Sequence, residues 1–219
     1  MRIFCIVLSI LTTIVCLGQT DDAIDNQAYN RAVDAYNDAK EAYEVENYTT
    51  SLEGFKLAHE LNPNNSDYVF GIATSYYGLE VYDSAEYFIE SAINLAPRQA
   101  DYHYRAGNIY FHQEKYFDAF KNYTMAINYQ GRDDVYIDLM NCQFNRGVSA
   151  LYSRLYEEAI KDFTEVLTTQ NTNINALHMR GVAYTRLNRM SEACTSFTDA
   201  YNMGHPNSKR YLDKHCQDN

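Results

Sequence analysis

SDYVFGIATSYYGLEVYDSAEYFIESAINLAPRQ (66–99) lies without a gap over ADYHYRAGNIYFHQEKYFDAFKNYTMAINYQGRD (100–133). Ala73 falls on Gly107, Tyr76 on Tyr110, Tyr82 on Tyr116, Ala85 on Ala119, Ile89 on Tyr123 and Ala92 on Ala126. A fixed period of 34 residues is the signature of stacked supersecondary units rather than of one closed core. Stacked units of this kind present long surfaces, and such surfaces are used for binding.

Working outward, the frame holds five times. The units are 32–65, 66–99, 100–133, 140–173 and 174–207, with an insert at 134–139. Only three prolines occur, Pro63, Pro97 and Pro206. Pro63 and Pro97 stand at the same place in successive units, where they close a second helix, since proline is excluded from helix interiors. Val135, Tyr136 and Leu139 in the insert have helical spacing, so the insert is expected to lengthen the first helix of the fourth unit. The tail, 208–219, carries Tyr211, Leu212 and Cys216 on one side of a predicted helix and is expected to cap the last unit's apolar face.

Counting each unit from place 1, small residues recur at place 8 (Ala39, Ala73, Gly107, Gly147, Gly181) and place 20 (Ser51, Ala85, Ala119, Ala159, Ala193). They allow two antiparallel helices to approach closely. Place 24 is Phe55, Ile89, Tyr123, Phe163 and Phe197, read as filler between adjacent units. Place 17 opens each second helix with Tyr48, Tyr82, Tyr116 and Tyr156, and with Met190 last.

On these residues the chain resembles the tetratricopeptide repeat family, whose 34-residue helix–turn–helix unit follows a Leu-Gly, Tyr, Ala, Phe, Ala, Pro pattern. The resemblance covers about four-fifths of the chain. It departs at place 4, where no unit has Trp, and at place 7, where Asp38 and Arg146 stand. It implies an all-α fold, an α-solenoid with a right-handed superhelix, made of five such units plus a C-terminal capping helix.

The resemblance also implies a partner, a peptide or a helix, held on a concave face made by the first helices. Carried across residue by residue, that groove holds Tyr36, Lys40 and Tyr43 in the first unit and Phe70, Thr74 and Tyr77 in the second. Tyr104, Asn108 and Phe111 follow in the third, Phe144, Leu151 and Tyr152 in the fourth, and Asn175, His178, Val182, Thr185 and Arg186 in the fifth. Places 5 and 12 are aromatic throughout the first three units and share a helix face. Two readings stay open: a ladder of rings offered to a ligand, or rings packed on one another as core. The Lys, Arg and Asn set with which some relatives clamp a C-terminal carboxylate is not reproduced, because place 5 holds aromatics.

Enzyme signatures are missing: there is no GxSxG, P-loop, HExxH or CxxC. The six His are scattered over different units, and no acid–base pair stands out. No cofactor and no metal are expected. Asn47, Asn64 and Asn122 open glycan acceptor triplets, as chance matches in an Asn-rich chain. Hydrophobic residues are 46% and charged residues 21%, a folded composition. A net charge of −11 repels phosphate, against a nucleic-acid partner or an anionic membrane, and fits equally solubility or a basic protein or peptide partner. The function expected is a non-catalytic interaction scaffold or adaptor. The alternative is a carbohydrate-binding solenoid whose exposed Tyr and Phe stack on sugar faces.

The N-terminus reads as a separate piece. Arg2, an apolar run from Ile3 to Leu17, then Gly18 and a polar start describe a secretory signal, 1–18. Residues 19–31 are a polar leader and the start of the first helix. The apolar run is short for a membrane span, so no transmembrane segment is expected in the mature chain. A retained anchor and a lipid anchor at Cys16 are the rival readings, the latter opposed by the bulky Thr13-Ile14-Val15 before it. The expected location is periplasmic or extracellular. Export permits a disulfide, and Cys194 and Cys216 are the pair that the last unit and the tail helix bring near. Such a bridge contributes roughly 3 kcal/mol in the chain-entropy picture. The other reading is that Cys142, Cys194 and Cys216 are independent thiols.

Overall fold

The computed structural model describes residues 26–131 and 137–216. The signal, most of the leader and residues 132–136 of the insert region lie outside the described residues, as do the last three residues of the tail. Every regular element among the described residues is α-helical. The helices group into two compact units divided after Leu95.

The N-terminal unit holds α1 (helical over 26–44), α2 (Tyr48–Leu61), α3 (Ser66–Gly78) and α4 (Tyr82–Leu95). The C-terminal unit holds α5 (Ala100–His112), α6 (Tyr116–Tyr129), α7 (Leu139–Tyr152), α8 (Tyr156–Thr169), α9 (Ile174–Arg186), α10 (Met190–Asn202) and α11 (Ser208–His215). Within each unit every helix packs on its sequence neighbours, and α7 also touches α9. Both units are thus α-solenoid in construction, hairpin against hairpin.

One turn is used in all five hairpins. Glu46, Glu80, Glu114, Arg154 and Asn188, at place 15, have φ between 59° and 64°. The next residue's N–H reaches back to the helix: Val81 to the Tyr76 carbonyl at 3.0 Å, Lys115 to Tyr110 at 2.9 Å, Leu155 to Ala150 at 2.8 Å. This is a Schellman stop, which satisfies carbonyls that the helix end would leave unpaired. Three first helices, α3, α7 and α9, begin on side-chain caps, with Asn65 accepting from the Asp67 N–H, Asp138 from Asn141 and Asn173 from Ala176.

The small residues act as read: Ala39, Ser51, Ala73, Ala85, Ala119, Ala159 and Ala193 are buried between paired helices. Ser51, in a place otherwise held by Ala, hydrogen-bonds the buried Ser75 hydroxyl at 2.9 Å. Place 24 does more than fill between units: its rings also lie on the place 8 glycine of their own hairpin. A Cβ at Gly107 would come 2.6 Å from Tyr123, one at Gly147 2.9 Å from Phe163, and one at Gly181 2.7 Å from Phe197. Toward the next element, Phe55 lies on Gly71, Tyr123 clusters with Cys142 and Phe197 stacks on Tyr211.

The insert also differs. It adds Leu139 to α7 and does not extend the helix through 137–138. Asp138 is spent as the cap, and the Ile137 backbone is held by the Gln130 side chain, at 3.0 Å to its N–H and 3.3 Å to its carbonyl. A cap and a side-chain bracket outweigh the helical spacing of the apolar residues there.

Candidate binding site

The expected groove rings divide by their place in the repeat. At place 5, Tyr36, Tyr104 and Phe144 each rest on the place 24 ring of their own hairpin. Centroid distances are 5.5 Å for Tyr36 on Phe55, 5.9 Å for Tyr104 on Tyr123 and 5.7 Å for Phe144 on Phe163. Tyr36 also meets Tyr68 at 5.1 Å. These rings are half-buried wedges, closer to the core reading than to the free ladder. Phe70 is half-buried as well.

At place 12 the rings meet the place 17 tyrosines edge-on. Tyr43 stands 5.4 Å from Tyr48, Tyr77 5.9 Å from Tyr82 and Phe111 5.4 Å from Tyr116. Lys40 is exposed, its ammonium 5.6 Å from the Tyr36 centroid. Thr74 is a correction: it is buried, and its hydroxyl donates to the Gly71 carbonyl at 2.9 Å, so it offers a ligand nothing. The Asn108 side-chain oxygen accepts from the Tyr123 hydroxyl at 2.7 Å. Tyr152 stacks on Tyr116 at 4.7 Å yet stays 54% exposed.

The C-terminal unit carries a cavity of about 600 Å³, and Leu151, Tyr152, His178, Val182 and Arg186 of its lining stand at places where the resemblance put the groove. It is lined by Leu151, Tyr152, Arg154 and Tyr156 around the α7–α8 turn, by His178, Met179, Val182 and Arg186 of α9, and by Tyr211 of α11. A hollow of about 410 Å³ shares Val182, Arg186 and Tyr211 and adds Thr185, Lys214 and His215. Among the described residues no acidic side chain lines either. Arg154 is a further signal in the sequence: place 15 is Glu in three units and Arg in the fourth.

The end of the cavity is fixed by α11. Tyr211 stacks on Phe197 at 4.7 Å and stands edge-on to His178 at 5.3 Å. His178 stacks on His205 at 4.0 Å, and the buried Ser208 hydroxyl bridges their Nδ1 atoms at 2.9 and 3.0 Å. Burial, with His205 beside it, pushes the His178 imidazole down to about 4, and burial lowers His205 too. Cys194 of α10 and Cys216, just past α11, are joined by a disulfide with Cα atoms 5.8 Å apart. Cys142 is a free, buried thiol, pushed up to about 12 chiefly by burial.

Among the described residues no group of three His, Cys, Asp or Glu side chains is placed to hold a metal ion. No described helix is long and apolar enough to cross a membrane.

No protein-family model matches the chain, and no curated protein matches it. Solved structures do. YrrB, described as a TPR protein with an unusual peptide-binding site, is 19% identical and superposes with a TM-score of 0.75 over 89% of this chain and 97% of its own. A MamA protein is 16% identical, with a TM-score of 0.69 over 82% of this chain and 94% of its own. A further MamA structure gives 0.71 over 80% and 93%. At these identities the likeness establishes the fold.

Proposed function

From the tetratricopeptide repeat fold of this chain, we propose that it is a non-catalytic scaffold that holds a peptide segment or partner helix outside the cytoplasm. The observation that carries this reading is the open cavity over α7, α9 and α11, where rigid tyrosines and aliphatic side chains stand beside Arg154 and Arg186. That mixture suits a binding pocket: apolar contact area at low entropy cost, with a few groups to orient the ligand. The peptide-binding site ascribed to YrrB supports it by analogy of fold.

Export belongs to the same proposal and rests on the sequence signal alone. A mature chain beginning at Gln19, recovered from the extracytoplasmic fraction, is the expected result. A cytosolic chain that keeps Met1 overturns it.

The positive charge expected of the partner rested on the whole-chain value. Residues 1–95 hold 15 Asp and Glu against 4 Lys and Arg, whereas residues 96–219 hold 14 of each. The expectation therefore applies to the N-terminal unit alone.

Display selection of random peptides on the full mature chain tests the scaffold. Enrichment of a motif whose binding drops at least fivefold in Tyr152→Ser, with the helical signal retained, supports it. Selection that enriches nothing above an unrelated helical protein overturns it.

A further inference from the structure

We infer that the cavity between the α7–α8 turn, α9 and α11 is a site for an acidic peptide segment, whose carboxylates are taken by Arg154 and Arg186. The inference rests on the scaffold reading and specifies its ligand.

The chain as a whole is acidic, so a cavity with two arginines and no lining carboxylate is a local reversal of sign. Lys214 extends the same sign into the adjoining hollow. These cations are not spent internally. The ion pairs of this unit include Arg146 with Asp162, Arg189 with Glu157 and Glu192, and Lys121 with Asp118. Arg154, Arg186 and Lys214 take part in none of them. A guanidinium matches a carboxylate with two parallel N–H donors. Field lines are focused in a partly enclosed, low-dielectric recess, which makes such a pair stronger than on an open surface. Leu151, Met179 and Val182 supply an apolar floor, which favours a segment carrying a Leu-sized side chain beside its acids. Long polyanions are disfavoured, because the same chain carries the net charge of −11 in residues 1–95.

The place of Arg154 makes the inference testable without loss of fold. It occupies the left-handed turn at φ 64°, where the first three hairpins hold Glu46, Glu80 and Glu114 at 59° to 60° and the last holds Asn188. Arg186 stands at place 13, where the first hairpin holds Glu44. Glutamate is thus a residue this architecture already accommodates at both places.

The experiment is fluorescence anisotropy on the full mature chain with an N-terminally labelled, C-terminally amidated hexapeptide of alternating Glu and Leu. The same peptide with Gln for Glu is the uncharged arm, and the Gln peptide with a free C-terminus reads a terminal carboxylate separately. The Glu peptide is expected to bind at least tenfold more tightly than the amidated Gln peptide. Its affinity should fall at least tenfold in Arg154→Glu/Arg186→Glu and stay unchanged in Lys121→Glu on α6. Raising the salt from about 0.05 to 0.3 M should weaken it through screening. Equal binding of Glu and amidated Gln peptides, or no loss in the double variant, overturns the inference while leaving the scaffold standing. Oligothymidylate bound more tightly than the Glu peptide overturns it in favour of nucleic acid. If no peptide binds here and none is enriched by display, both readings fail.

Discussion

Arg146 on α7 and Asp162 on α8 form a two-pronged ion pair inside one hairpin: Nε donates to Oδ2 at 2.9 Å and Nη2 donates to Oδ1. They occupy places 7 and 23, and the next hairpin repeats the geometry with neutral chemistry, Arg180 Nε to the Ser196 hydroxyl at 3.2 Å. Asp162 is 2% exposed. Burial pushes its carboxyl above the ordinary value, while the guanidinium's hydrogen bonds and charge pull it back down. Arg146, a departure from the repeat pattern, is therefore paired by a second departure.

Removing one partner leaves a buried charge without compensation, whereas replacing both with apolar residues leaves none. Arg146→Ala should lower the unfolding free energy by about 3–5 kcal/mol. Arg146→Met/Asp162→Leu should be near neutral or stabilising by about 1–4 kcal/mol. Urea titrations of the single and double variants check this. A double variant as unstable as the single would show that the pair itself holds the hairpin.

The place 5 rings give a second prediction. Tyr36 is wedged between Phe55 and Tyr68, while Tyr152 remains more than half exposed although stacked. Tyr36→Ser should therefore cost about 2–4 kcal/mol, near the loss seen on emptying aromatic core sites. Tyr152→Ser should cost under about 1.5 kcal/mol, the upper end for one aromatic pair. Comparable losses from thermal melts of the two would mean that the exposed ring is as structural as the buried one.

How much of this was legible depends on the range of the interaction concerned. The hairpins follow from side chains whose partners sit at a fixed offset, such as Gly107 beneath Tyr123, so a repeated phase exposes them. The place 15 turn is written in the same phase but was hidden, because Glu46, Glu80 and Glu114 are not the glycines a left-handed turn favours. The insert misled because apolar spacing was weighed above Asp138 as a cap. Thr74 was assigned to the surface by its place in the repeat, although its own hydroxyl bonding to Gly71 lets it sit in the core. The cavity was legible in part: the groove places supplied Leu151, Tyr152, His178, Val182 and Arg186, but not Arg154, Tyr156, Met179 or Tyr211. It needs the α7–α8 turn, α9 and α11 together, and a whole-chain charge of −11 conceals a neutral C-terminal portion with cations gathered in one recess.

Glu80 offers a third prediction. Its φ of 59° strains a residue with a Cβ, at a cost on the order of 1 kcal/mol that glycine does not bear. Glycine's extra freedom in the unfolded chain offsets part of that gain. Glu80→Gly should still raise stability, by under about 1 kcal/mol, visible as a higher urea midpoint at unchanged slope. A lower midpoint would mean that the Glu80 side chain contributes more than its backbone costs.

Acid should loosen the cap. Folded, His178 titrates near 4, against 6.5 for a free imidazole. Between those values the unfolded chain binds a proton that the folded chain refuses, so stability falls as the pH drops from 6.5 towards 4 and is complete above 6.5. The groups facing His178 are His205, Ser208 and Tyr211, none of which supplies a negative charge to hold the imidazolium. The total loss is on the order of 1–3 kcal/mol. His178→Gln keeps a hydrogen-bonding partner for Ser208 and removes the titration. Its urea midpoint should change less between pH 7 and pH 4.5 than the wild type's. Equal changes in the two proteins would place the acid sensitivity elsewhere.

The Cys194–Cys216 bridge determines what that loosening looks like. It ties α11 to α10 across 22 residues, a loop whose closure is worth roughly 3 kcal/mol in the chain-entropy picture. With the bridge intact, acid can undock Tyr211 and the His pair but cannot carry α11 away. With Cys194→Ser/Cys216→Ser, both restraints on α11 are lost together in acid. The double variant should therefore show amide exchange in 208–215 that is faster than wild type at pH 7 and faster still, relative to wild type, at pH 4.5. Exchange in α7 and α8, away from the bridge, should change far less. The buried Cys142, with its thiol pushed up to about 12, should resist alkylation at pH 8 in the native wild type, so a mature chain unfolded without reductant takes up one alkyl group and a reduced one takes up three. Three uptakes before reduction would mean that the bridge does not form, and the contrast in exchange would vanish with it.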